Sequence, residues 1–98
     1  MAIEITIRNN EIGDAIKAQA ADKAARLDAK FPDIEFIRAV LDKDGPFFTV
    51  MVAVQGGSSG KVEGTARKPG VMEALQDAFD KAESQIRKNT QRLREARK

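Results

Sequence analysis

Lys23, Arg26 and Lys30 stand at offsets of three and seven, and Lys81, Lys88 and Arg92 at offsets of seven and eleven. In a helix, which turns about 100° per residue, each trio falls on a single stripe. Cations held at such intervals suit a polyanion with regularly placed phosphates, and RNA is the leading ligand. The charge thickens toward the carboxyl end. From Lys81 onward, Lys81, Arg87, Lys88, Arg92, Arg94, Arg97 and Lys98 meet only Glu83 and Glu95, so seven bases less two acids leave five positive charges. Helix electrostatics accounts for part of this, since Glu73, Asp77 and Asp80 near the start of the segment and bases near its end both complement the macrodipole. Beyond Ile86, six bases against Glu95 exceed what capping requires.

Other chemistry is poorly supplied. The 98 residues include no cysteine and no histidine, which removes thiolate nucleophiles, disulfides, the common zinc ligands and the usual general base near neutral pH. Ser58, Ser59 and Ser84 therefore have no histidine to activate them. Gly56, Gly57 and Gly60 lack the Gly-Lys-Ser/Thr ending of a phosphate loop and lead into a strand, so they read as a hairpin turn. Asp42 and Asp44, flanking Lys43, read as turn residues and not as a metal pair. The expectation is a protein without catalytic residues, metal, cofactor or small-molecule substrate. Tryptophan and tyrosine are also absent, leaving five phenylalanines, a thin basis for stacking bases.

The elements that position the cations follow from periodicity. Ile3, Ile5 and Ile7 alternate with Glu4, Thr6 and Arg8, which predicts a first strand with one buried face. Ile12, Ile16, Ala20, Ala24, Leu27 and Phe31 recur at steps of four or three, predicting a helix from about Asp14 to Lys30 that Pro32 ends. Residues 34–41 and 47–54 are rich in β-branched and aromatic types and predict a hairpin around Asp42–Pro46. Residues 61–67 alternate Val62, Gly64 and Ala66 with polar residues, a fourth strand. After Lys68-Pro69-Gly70, the positions Val71, Leu75, Ala78, Phe79, Ala82, Ile86 and Leu93 form the apolar stripe of a second helix.

The predicted order is β-α-β-β-β-α, an α+β fold with both helices on one face of a four-stranded mixed sheet. Strands one and two should be parallel with a right-handed crossover, and strands two to four antiparallel. Residues 1–98 suffice for one domain with a small core, with a basic tail fraying from about residue 94. The alternation at the amino terminus is neither a signal peptide nor a membrane span. Periodicity leaves one matter open: the two basic stripes either border a groove between the helices or lie on opposite outer edges.

The order and the residues within it resemble a known family, the short ribosome hibernation promoting factors, relatives of the ribosome-associated translation inhibitor also called sigma modulation proteins. The likeness rests on Ile3-Glu4-Ile5-Thr6, on Ile12-Gly13-Asp14-Ala15-Ile16-Lys17, on Lys23-Ala24-Ala25-Arg26-Leu27 ahead of Phe31, and on Ala74-Leu75 through Asp80-Lys81 to Gln85-Ile86. The resemblance implies a cytoplasmic, non-enzymatic protein. Its partner would be the small ribosomal subunit and its rRNA, bound in the channel used by messenger and transfer RNA, with translation held inactive. Carried over by position, Lys23, Arg26, Lys30, Lys81, Lys88 and Arg92 would meet rRNA phosphates, with Arg87 beside them. The lack of a further carboxy-terminal domain looks like the short type, and the lack of an acidic tail separates the chain from the inhibitor branch. Two departures stand out: Gly70-Val71-Met72 where the family has Asp, an apolar residue and Tyr, and Ser84, next to Glu83, where a basic residue is expected. The competing reading is a small regulatory module whose basic helix binds an acidic protein partner.

Overall fold

The computed structural model describes residues 2–57 and 60–96, with side chains described as far as Asn89. Within it the alternating and helical patterns resolve into β1 (Ala2–Ile7), α1 (Asp14–Lys30), β2 (Phe36–Asp44), β3 (Phe47–Gly56), β4 (Gly60–Lys68) and α2 (Val71–Ala96). The sheet order is β1-β2-β3-β4. β1 runs parallel to β2, with α1 as the connection between them, and β2, β3 and β4 form an antiparallel meander. This is the α+β plan that the periodicities require.

Strand residues alternate in burial because successive side chains point to opposite faces. Ile37, Ala39 and Leu41 of β2, Val50, Val52 and Val54 of β3, and Val62 and Ala66 of β4 are all buried beneath the helices. α1 covers β1 and β2, and α2 covers β3 and β4. α2 contributes Ala74, Leu75, Ala78, Phe79, Ala82 and Ile86 to the core, whereas α1 contributes Ala20, Ala24 and Leu27. No polar or charged residue is buried among those described. Between Val62 and Ala66 stands Gly64, where a β-carbon would collide with the Ala78 carbonyl oxygen and lie 2.7 Å from the Ala82 nitrogen. Glycine at this point is what lets α2 rest directly on the β4 backbone.

The first hairpin is tighter than its composition implies. Residues 42–46 read as a turn, yet β2 continues to Asp44, which pairs with Phe47, leaving Gly45 and Pro46 as the connection. Gly45, at φ 60, takes the first place of the two-residue turn, where glycine is favoured because φ is positive. Asp42 and Asp44 are tolerated in a strand because they alternate onto the face the helices leave uncovered. β2 also begins later than residue 34: Ile34 is buried but belongs to the connection, its N–H donating to Phe31 O at 3.0 Å.

Candidate nucleic-acid interface

Helix α1 turns Lys23, Arg26 and Lys30 toward α2, and these cations line a shallow groove with Leu27 of α1 and Gln76, Phe79, Asp80 and Glu83 of α2. The choice left open by periodicity is thus resolved for α1: its stripe borders the groove. Burial of Ala20, Ala24 and Leu27 fixes the roll of the helix on the sheet, and positions one residue away from that stripe fall at the groove's lip.

The stripe on α2 is placed differently. Lys81 and Lys88 lie on the flank of α2 away from the groove, since Glu83 points into it and Lys81 and Lys88 stand roughly 140–160° from Glu83 around the helix. Lys81 reaches over β4, where its ammonium donates to Thr65 O at 3.0 Å and pairs with Asp77 at 2.9 Å. Lys88 has no ion-pair partner among the described residues. Arg92 occupies a described helical position, but its side chain lies outside the described residues, as do residues 97 and 98 of the tail. Among the described residues, the α2 cation that pairs with a groove-lining side chain is Arg87, four positions after Glu83.

Acids compete for the groove cations. Lys30 pairs with Glu83 across the two helices at 2.9 Å, and Arg87 pairs with the other oxygen of the same carboxylate at 3.3 Å. The guanidinium of Arg87 also stands 5.6 Å from the Phe31 ring centroid, within cation–π range. Arg26 pairs with Asp22 on its own helix at 3.0 Å, and the Lys23 ammonium donates to the Gln76 side-chain oxygen. The hydrogen bond from Lys30, followed by the charges of Lys30 and Arg87, holds the Glu83 carboxyl below its ordinary value, against burial, which acts in the opposite direction. Exposed pairs of this kind contribute little to stability. Their consequence is for charge: Glu83 remains ionised and partly neutralises two cations.

The opposite face of the sheet is not basic. Arg8, Arg38, Lys61 and Arg67 alternate there with Glu4, Asp42, Asp44 and Glu63, four against four, and Arg38–Glu4 and Arg67–Asp44 pair at 3.3 and 3.2 Å. The inter-helix groove, by contrast, brings Lys23, Arg26 and Lys30 into one lining, against Asp80 and Glu83.

A family model described as Sigma 54 modulation protein / S30EA ribosomal protein matches residues 3–94. The chain belongs to this family. Among solved structures, a ribosomal subunit interface protein from Coxiella burnetii has a TM-score of 0.80 at 18% identity, covering 92% of this chain and 98% of that one. The Protein Y N-terminal domain from Thermus thermophilus has a TM-score of 0.75 at 28% identity, covering 90% and 98%. No curated protein gives a significant match. The Sigma 54 modulation / S30EA fold is thus shared along nearly the whole chain.

Sequence reasoning missed the part Glu83 plays in this family member's groove. The Glu83 to Arg87 spacing of four was a readable signal for a pair along the helix. The link from Glu83 to Lys30, 53 positions away, carried no local signal.

Proposed function

We propose that this protein is a ribosome-associated hibernation factor that occupies the messenger and transfer RNA path of the small subunit through its helical face. Membership of the Sigma 54 modulation / S30EA family over residues 3–94 carries the reading, and the clustering of Lys23, Arg26, Lys30 and Arg87 beside one groove supports it. Its action is electrostatic and steric, with no catalysis: lysine and arginine side chains meet backbone phosphates, counterions leave the RNA, and the bound domain excludes other RNA from the path. The cations lie on helices with side chains directed at a surface, with no aromatic platform beside them except Phe31 and Phe79, so binding follows backbone shape and not base sequence. No helix among the described residues is long and apolar enough to cross a membrane, and the proposed site of action is the cytoplasm.

Co-sedimentation with small subunits over a series of salt concentrations tests this. Replacing Lys23, Arg26 and Lys30 together with Gln is expected to weaken binding and flatten the slope of log affinity against log salt by about two. Co-sedimentation that stays the same in the triple variant would contradict the proposal. In a gradient of cell extract, a protein found only at the top, away from idle subunits, would favour an acidic protein partner instead.

A further inference from the structure

The Glu83 carboxylate has one oxygen 2.9 Å from the Lys30 ammonium and the other 3.3 Å from the Arg87 guanidinium, and it lines the same groove as Lys23 and Arg26. Two anionic oxygens held between an ammonium and a guanidinium reproduce the demand that a phosphodiester makes of a protein: a bidentate or split anionic contact to one lysine and one arginine. We propose that Glu83 sits in a phosphodiester subsite of the groove, as an internal competitor that an RNA backbone phosphate must displace before Lys30 and Arg87 can bind it. This deepens the ribosome reading and rests on it for the identity of the RNA.

Three features of the structure support the assignment. The two cations come from different elements, Lys30 from the last turn of α1 and Arg87 from α2, so the subsite exists only where the helices meet. Phe31, the residue that ends α1, places its ring under Arg87 at 5.6 Å, which limits the orientations of the guanidinium and leaves it at the subsite when the carboxylate withdraws. Lys30 remains half-exposed and Glu83 retains 29% of its side-chain surface, so the pair is open to an incoming phosphate and exchange requires no unfolding. Because an exposed pair is weak, a phosphate with a neighbouring phosphate to engage Lys23 or Arg26 can displace it. An isolated anion has no such second contact.

The test compares Glu83→Gln with Glu73→Gln. Glu73 lies in the first turn of α2 and forms no ion pair among the described residues, so its replacement changes net charge equally without freeing a cation. Binding to purified small subunits, and separately to a short RNA duplex, is measured across a salt series, with thermal unfolding as a check that each variant remains folded. Glu83→Gln is expected to bind about fivefold more tightly than wild type at low salt and to steepen the salt slope by about one. Glu73→Gln is expected to shift affinity by less than half as much. Equal effects from the two variants, or weaker binding by folded Glu83→Gln, would overturn the inference. A wild-type chain that ignores small subunits overturns the ribosome reading instead, and the duplex series then still decides the role of Glu83.

Discussion

Helices α1 and α2 cover the same face of the sheet but are attached to it in different ways. α2 buries six side chains from Ala74 to Ile86 and approaches β4 closely enough that Gly64 cannot carry a β-carbon. α1 buries only Ala20, Ala24 and Leu27 along its length, and polar contacts add to its link with α2: Lys30 to Glu83, and Lys23 to Gln76. One helix is fixed by packing and the other is positioned partly by charge. The groove thus has one wall anchored by extensive packing and one anchored by fewer buried side chains together with charge.

Mutations can break this contrast. Leu75→Ala, at a fully buried position of α2, is expected to lower stability by about 4 kcal/mol, read as a shift in the urea midpoint at constant slope. Gly64→Ala should cost about 3 kcal/mol, because the new methyl group meets helix backbone that cannot rotate away. Leu27→Ala, the corresponding truncation in α1, should cost about 2 kcal/mol; a loss as large as that of Leu75→Ala would show that both helices are equally anchored by packing. The smallest effect is on pH dependence. With its folded-state pKa lowered, Glu83 contributes stability that is complete above its unfolded-state value and disappears as pH falls through the lowered one. Acid unfolding of Glu83→Gln should therefore start from lower stability near neutrality and show a shallower acid limb than wild type. Parallel acid limbs would mean that the cross-helix pair has no part in positioning α1.

Much of the fold was legible because each element carries its own periodicity. The run from Ile12 to Phe31 set the bounds of α1 at Asp14 and Lys30, as observed. The alternation of Val62, Gly64 and Ala66 marked β4. Where local composition and tertiary pairing conflicted, composition misled: Asp42, Lys43 and Asp44 have turn chemistry, but pairing with Phe47, Phe48 and Thr49 keeps them in β2. The positions of Lys23, Arg26 and Lys30 around α1 were also readable, because a helical wheel gives angles about one axis. It gives no information on which flank of that axis faces a second helix. For this reason the groove-bordering placement of the α1 stripe, and the placement of Lys81 and Lys88 on the far flank of α2, emerged only from the packing of both helices on the sheet. Glu83 was legible as an acid beside Ser84, but its function depends on Lys30, which only the fold brings near.

The bond from Lys81 to Thr65 O has a consequence for solubility. β4 is an outermost strand, and its outward backbone groups offer a template onto which another chain can add. By engaging one of those carbonyl oxygens and keeping a full charge at the rim, Lys81 hinders edge-to-edge joining of neighbouring molecules. A cation that sequence spacing would give to nucleic acid is thus held at the sheet edge, where its charge disfavours the addition of another strand.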